Sequence, residues 1–324
     1  MINIKKGKYL IAGATGLIGS SIVKRLANKE GVEVVGIHNK TEPFINGKNI
    51  KYYSIDLSGE SLFYYEDKIT DVDFLIMTAG TVSSYPVLSL DPVCHIIKNI
   101  KIGINLCKFA YATKIKNISL ISSAVGYSHC NCDDAKEEYF FKDNPPVNYF
   151  SVGWAARCIE KQCEHLSFGI KDPIKVTILR PTTVYGEKEG FDCHKCHMLP
   201  KMVKKIYDSE SNLKIECNSE TRRDMIYSDD LVDAILISLY NNGSIFEEYN
   251  VGSGVAYSFR EMSDIIKKYS KKQNLNIKFE ICDVNEKSLT LSLNKINKIN
   301  FKAKTTIEEG IKKLVTECKR SKNH

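Results

Sequence analysis

Three glycines spaced by two residues, Gly13-Ala14-Thr15-Gly16-Leu17-Ile18-Gly19, follow the apolar run Tyr9-Leu10-Ile11-Ala12 and open a helical pattern. A turn of this kind between a strand and a helix suits the binding of a pyrophosphate. Gly13 permits the tight turn, Gly16 lets the backbone approach the phosphates, and Gly19 allows close helix–strand packing. The helix N-terminus then offers N–H groups and the positive end of its dipole. Cofactor contacts are therefore expected from Gly13, Thr15, Gly16, Leu17, Ile18 and Gly19. An acid at the end of the second strand would bond the adenosine ribose of NAD, but the chain reads Ile37-His38-Asn39-Lys40. His38 and Lys40 suit a 2′-phosphate, so the expected cofactor is NAD or NADP, with NADP favoured. Asp56-Leu57, after the third strand, are placed to meet the adenine. Thr78-Ala79-Gly80, after the fourth, would pass the cofactor's ribose.

A second concentration of reactive side chains, Cys193-x-x-Cys196 with His194 and His197, has the residue types of a zinc site. Four ligands within five residues do not easily face one tetrahedral ion, and no second pair is present, so no metal is expected. The chain holds eleven cysteines. Cys107, Cys158 and Cys163 fall in apolar periodic segments and read as small core residues. No apolar leader follows Met1 and no run has the ~18 apolar residues of a membrane span. A reduced, cytoplasmic compartment is expected.

The elements that must position these groups alternate regularly. Strands are predicted at Tyr9–Ala12, Val32–Ile37, Ile50–Ser54, Phe74–Met77, Ile118–Ser122 and Lys175–Leu179, with helices at Leu17–Asn28, Val93–Thr113 and Phe150–Phe168. The fold class is α/β: a Rossmann-type, doubly wound parallel sheet covered on both faces. Asp91-Pro92 are placed to start the long helix as N-cap and first turn. After Arg180-Pro181 the loops lengthen and helices at Pro200–Asp208, Asp229–Tyr240 and Phe259–Lys268 dominate. Residues 1–180 are read as the dinucleotide-binding domain. Residues 181–324 are read as a smaller, mostly helical substrate-binding region, with some segments able to return to the first domain. The 324 residues carry a net charge of +7, from 46 Lys and Arg against 39 Asp and Glu. The lysines are scattered, with no basic stripe interleaved with aromatics, so a nucleic-acid partner is not expected.

With these residues in hand, the chain resembles the extended short-chain dehydrogenase/reductases, in particular their nucleotide-sugar epimerase, dehydratase and reductase group. The marks span nearly the whole length. They are the glycine turn, Asp56-Leu57, Ser122-Ser123, Leu179-Arg180-Pro181 leading to Val184-Tyr185-Gly186, Arg223-Asp224-Met225-Ile226-Tyr227-Ser228-Asp229-Asp230, and Tyr249-Asn250-Val251-Gly252. The resemblance implies a tightly held nicotinamide cofactor and a nucleotide-diphosphate sugar in the C-terminal cleft, gripped by Arg223 with help from Ser122 and Thr183. It implies hydride transfer at the sugar, commonly at C4, with Ser123 on the sugar oxygen. It also implies a homodimer formed through the two long helices, and a place in surface polysaccharide precursor synthesis. Asp229 and Asp230 are expected to cap the helix that follows them.

The chain departs from the pattern where the chemistry is done. Trp154, Arg157 and Glu160 set the register, and on it Val152 and Ala156 stand where relatives carry the Tyr-x-x-x-Lys pair. Ala124 and Val125 replace groups that would serve dehydration or 3,5-epimerisation, which leaves C4 redox chemistry: 4-epimerase, 4-ketosugar reductase or 4-oxidase. Tyr149, one helical turn before Val152, is the nearby phenol. His197 matches a histidine that acts as an acid in the epimerase/reductase branch. The catalytic candidates are thus Ser123, Tyr149 and His197. The alternative is a catalytically silent, cofactor-binding relative or an inactivated variant.

Overall fold

The computed structural model describes residues 2–81, 92–128, 134–191, 196–241, 243–280 and 289–321. Asp91, Cys193 and His194 lie outside the described residues, and with them the expected N-cap and half of the zinc-like cluster.

Strand β1 (Gly7–Ala12) leads through the glycine turn into α1 (Leu17–Leu26), then β2 (Val32–His38), β3 (Ile50–Ser54) and β4 (Phe74–Met77). Helix α2 (Pro92–Ala112), β5 (Asn117–Ile121), α3 (Phe150–Phe168) and β6 (Lys175–Pro181) follow. These strands form one parallel sheet ordered β3-β2-β1-β4-β5-β6, and its seventh strand, β10 (Phe246–Val251), pairs with β6. The order reverses between β1 and β4, so a crevice opens at their carboxyl ends, where ligands bind in doubly wound sheets.

Period-two alternation along β1 divides the core. Leu10 and Ala12 face α2 and α3 in one apolar cluster that also takes Phe109 and Cys163. Tyr9 and Ile11 face α1 and α5 (Ser228–Tyr240) in another, with Ile22, Leu231 and Ile235. Strands buried on both faces read as continuous apolar runs, which is why β1 and β4 were legible as sequence. The segment beyond residue 181 thus returns twice to the sheet, as α5 on one face and as β10 at its edge.

The rest of the C-terminal half has its own core. Helices α4 (Met198–Asp208), α6 (Phe259–Ser270) and α8 (Ile307–Ser321) enclose Leu199, Val203, Met262, Ile266, Ile311 and Leu314. A short helix, α7 (Asn294–Asn297), precedes α8. Two small sheets join them: β7 (Thr183–Tyr185) with β9 (Arg222–Tyr227) and β11 (Ala256–Ser258), and β8 (Asn212–Glu216) with β12 (Asn276–Glu280). The paired segments Asn-Leu-Lys-Ile-Glu and Asn-Ile-Lys-Phe-Glu share one alternation, matched Leu213 to Ile277 and Ile215 to Phe279. Helix α6 starts with a reciprocal capping box, Ser258 accepting from the Glu261 N–H and Glu261 from the Ser258 N–H. Ser258→Ala is expected to cost about 1 kcal/mol, measured by denaturant unfolding. A change under a few tenths would show that tertiary packing alone holds this helix.

No described helix is long and apolar enough to cross a membrane.

Candidate active site

The glycine turn sits at the switch point between β1 and β4. Gly13 has φ +87°, and a Cβ there would lie 2.9 Å from the Ala79 backbone. A Cβ on Gly19 would lie 2.1 Å from the Gly13 carbonyl oxygen, so helix and turn are in direct backbone contact. Gly16 differs: its φ is −72°, and a Cβ would meet nothing closer than the Gly13 oxygen at 3.4 Å. The space over Gly16 is open for a ligand. Helix α1 begins there with no side chain capping it and no acid in its first turn. The Thr15, Leu17 and Ile18 backbone follows the same turn, so the residues present fit a pyrophosphate.

The neighbouring strand ends complete this wall. The Gly13 and Ala14 N–H groups donate to the Ile37 carbonyl, 3.0 and 2.9 Å, and the Thr78 hydroxyl donates to the Ala12 carbonyl at 2.7 Å. Ala79 is in contact range of Gly13, and Gly80 packs against Asn99, whose amide holds both backbone groups of Thr81. His38 is buried, with Nδ1 against the Thr41 carbonyl at 3.1 Å, which leaves Nε2 as the ring nitrogen open to a ligand. Lys40 is exposed. Asp56 is exposed and accepts from the Ser58 N–H and hydroxyl, which, with Lys98 and Lys40 nearby, hold its carboxyl below the usual range. Leu57 points into the core, and its carbonyl is fixed by Asn105 of α2.

Several residues that mark the pattern in the sequence form one buried polar network. Arg180 and Glu160 pair at 2.8 Å with side chains 3% and 1% exposed. Burial pushes the Glu160 carboxyl up against the opposing pull of Arg180. Arg180 also donates to the Glu137 carbonyl at 2.9 Å and lies 3.9 Å over the Phe140 ring. The Tyr127 hydroxyl, pushed up to about 12 by burial, donates to Asn250, whose amide reaches the carbonyls of Ala135 and Ser292. Arg157 donates to the carbonyls of Gly126, Lys142 and Asp143. Ser122 belongs to this network too, donating to Glu160 at 2.5 Å, so only its lone pairs remain for a substrate. Ser123 accepts from the Val125 N–H at 3.3 Å and caps the short turn Ala124–Gly126, leaving its own O–H to donate. Reading the residues singly did not reveal that Arg180, Glu160, Tyr127 and Asn250 meet. Buried charge and amide on adjacent strands was the signal.

Val152 and Ala156 fall in the first two turns of α3. Ala156 packs against an apolar cluster of Ala124, Tyr127, Ala135, Phe140 and Leu291. Tyr149 is half-buried and stands at the N-cap of α3. Arg223 lies on β9 opposite Tyr257, half-buried, with one guanidinium N–H on the Arg222 carbonyl. Thr183 pairs with Met225 on the neighbouring strand.

One expectation needs correction. Asp229 and Asp230 do not cap α5: Tyr227 is its N-cap, and both acids sit in the first turn. Asp230 instead accepts from the Lys304 and Thr305 N–H groups, 3.1 and 2.9 Å, because an acid one turn inside the helix faces the chain entering α8. The adjacent Asp224, buried and pushed up by desolvation, clasps the turn after β10 through the Ser253 and Gly254 N–H groups.

The start of the C-terminal region closes on the helix that follows the glycine turn. A Cβ on Gly186 would lie 3.0 Å from the Leu17 side chain and 2.5 Å from the Ser228 hydroxyl. From there the chain passes Glu189 to His197, the N-cap of α4. The Glu189 carboxylate accepts from the His197 N–H at 2.7 Å and lies 2.5 Å from its Nδ1, which raises the imidazole above its usual range. Glu189 was not singled out from sequence. Its signal was an acid directly before a glycine, Gly190, that turns the loop at φ +80°. Among the described residues no group of three or more His, Cys, Asp or Glu is placed to hold a metal.

Known proteins resemble this chain in sequence and in fold. GDP-L-colitose synthase of Yersinia pseudotuberculosis is 24% identical over 98% of this chain and 99% of its own. GDP-L-fucose synthase of Escherichia coli is 20% identical over 82% of each chain. The fold matches a UDP-glucose 4-epimerase of Thermotoga maritima with TM-score 0.83 at 20% identity, covering 97% and 99% of the two chains. It also matches a GDP-D-glycero-L-gluco-heptose synthase of Campylobacter jejuni, solved in the presence of NADPH, with TM-score 0.78 at 20% identity over 98% of each. Residues 9–252 fit the family model described as the NAD dependent epimerase/dehydratase family. With the glycine turn at the switch point and the family's fold around it, the chain belongs to the NAD-dependent epimerase/dehydratase family.

Proposed function

We propose that this chain is an NAD(P)-dependent oxidoreductase or epimerase acting at C4 of a nucleotide-activated sugar, as a 4-epimerase, 4-ketosugar reductase or 4-oxidase. The carrying observation is the contact of Gly186 with Leu17 and Ser228, which brings the C-terminal region against the N-terminus of the phosphate-facing helix. A dinucleotide on Gly13–Gly19 and a ligand of residues 181–324 would then share one cleft. The sugar nucleotides named for the relatives support that class of ligand.

When bound, the nicotinamide supplies or accepts the hydride. The chain's own groups do the rest. Gly16 and the N-terminus of α1 hold the pyrophosphate, and Lys40 with His38 Nε2 favours NADP over NAD. Ser123 donates to the sugar oxygen, Arg223 grips the diphosphate by charge-assisted hydrogen bonds, and Ser122 and Thr183 line the same side. Tyr149 and His197 are the groups available to move the proton. We place the reaction in the cytoplasm, in the supply of surface polysaccharide precursors. A homodimer is supported by exposed apolar side chains on the two long helices: Val93, Ile97, Ile104 and Tyr111 on α2, and Phe150, Trp154 and Phe168 on α3.

One observation favours a second reading, a relative that binds without turnover: Ala156 is packed into apolar surroundings and offers no ammonium. A single-turnover assay separates the two. The chain and an Ala156→Lys version are mixed with reduced or oxidised cofactor and a panel of GDP-, UDP-, CDP- and dTDP-sugars, and nicotinamide absorbance is followed. Turnover by the chain as it stands is the expected result. Cofactor binding with no turnover in either version establishes the silent reading instead.

A further inference from the structure

Outside the buried network, one ionisable pair has an orientation its packing alone does not require. The Glu189 side chain is 8% exposed, yet His197 beside it is 43% exposed. One carboxylate oxygen, Oε1, receives both donors that His197 has on that side, the backbone N–H at 2.7 Å and ring Nδ1 at 2.5 Å. The other, Oε2, is buried with no hydrogen-bond partner among the described residues. A buried carboxylate so poorly solvated is stabilised by a positive neighbour, and among the described residues the His197 ring is the ionisable group paired with it. With Nδ1 tied to the carboxylate, Nε2 is the ring nitrogen left for a ligand, on a side chain that is 43% exposed. The pair hangs from the segment that begins at Gly186, against the N-terminus of α1.

We propose that Glu189 is a positioning residue that holds His197 charged and oriented, and that His197 exchanges the proton with the reacting sugar oxygen in place of the absent phenol–ammonium pair. This rests on the C4 reading above. The step is a proton transfer only: the Nε2–H bond breaks, an O–H bond forms on the sugar oxygen, and the neutral imidazole is recharged from water. In the opposite direction the neutral Nε2 takes the hydroxyl proton. The other charged groups of the adjoining segments, among the described residues, are Glu187 and Lys188 before Glu189, and Lys201, Lys204, Lys205 and Asp208 on α4; Asp192 and Lys195 lie outside them. Lys313, from α8, lies over the Tyr227 ring, whose hydroxyl donates to Glu187. Among the described residues the ion-pair partner of His197 is Glu189.

The histidine-labelled chain, with NADP⁺ or NADPH added, is titrated by NMR, with His38 and His165 as internal controls of the fold. His197 is expected to titrate above the ordinary histidine range, because Glu189 holds its proton, and Glu189→Gln to lower its midpoint while the His38 and His165 signals stay in place. Saturating UDP-glucose or GDP-fucose is expected to shift the His197 signal in the parent chain. An unmoved midpoint with intact controls overturns the positioning role, whatever the turnover assay gives. In a chain that turns over, the basic limb of the rate–pH profile is expected to move down by the same amount in Glu189→Gln, and His197→Asn to lose ~10²–10⁴-fold in rate. A profile that stays put, or a rate lost in Tyr149→Phe and kept in His197→Asn, overturns the proton role. A chain that turns over nothing while Glu189→Gln still moves His197 refutes the C4 reading and leaves the pair's coupling established.

Discussion

Arg180→Met is expected to destabilise the fold by about 3–5 kcal/mol, because it leaves the Glu160 carboxylate buried without its charge partner. The guanidinium has no small role to lose. It pairs with Glu160, donates to the Glu137 carbonyl and covers the Phe140 ring, all at 3% side-chain exposure. The double variant Glu160→Leu/Arg180→Met is expected to recover a large part of that loss, since an apolar pair of similar volume needs no compensation. Full recovery is not expected, because Ser122 would lose its acceptor and Tyr127 a neighbour. Urea unfolding of the three proteins decides it. A single variant within 1 kcal/mol of the parent would mean that water reaches the pair.

Substitution at Gly16 should have the opposite profile, a fold kept and a ligand lost. At φ −72° and ψ 171° any L-residue fits the backbone, and the nearest atom to a Cβ is the Gly13 oxygen at 3.4 Å. Gly16→Val is therefore expected to leave the melting temperature nearly unchanged. Its side chain would occupy the space assigned to the pyrophosphate, and overpacking of about 1–3 kcal/mol lowers cofactor affinity roughly 5- to 150-fold. Gly19→Val is the contrast: its Cβ falls 2.1 Å from the Gly13 oxygen, so it should lose both fold stability and cofactor. Calorimetric titration with NADPH and NADH measures the first effect and the cofactor preference together. Unchanged affinity in Gly16→Val would remove the phosphates from this turn.

His197 also links stability to pH. Its imidazole is raised in the folded chain by the bond to Glu189. The contribution is therefore complete below the unfolded-state histidine pKa and lost as pH rises through the higher folded value. The loss should be absent in Glu189→Gln. The ring is 43% exposed, so the effect is small beside that of Arg180.

The first half of the chain was legible because its signals were local. Strands buried on both faces gave unbroken apolar runs, and β3, β4 and α3 match their expected limits residue for residue. The glycine turn was readable for the same reason, each glycine having a separate steric task. What could not be read was where side chains meet across the sheet. Ser122, Tyr127, Glu160, Arg180 and Asn250 are scattered over more than a hundred residues of sequence and joined only by tertiary pairing. Asp230 misled because an acid at a helix start is normally a cap, and here the cap role fell to Tyr227 while Asp230 turned to residues 304 and 305. The strands β8 and β12 carried a readable alternation, but five residues rich in Lys, Asn and Glu fall below the signal of a core strand.

The sheet's last strand comes late in the chain, and this has a mechanical consequence. Strand β10 lies beside β6, and immediately past the pair the Thr182 N–H donates to the Val251 carbonyl. The polypeptide therefore leaves the sheet at two neighbouring points side by side, after Pro181 and after Val251. Movement of the small C-terminal sheets on the main one would bend both exits and also the Tyr227–Ser228 junction, where β9 runs directly into α5 on the sheet face. A nick after Pro181 would leave both fragments held in the sheet, since β10 lies beyond the cut and stays paired with β6.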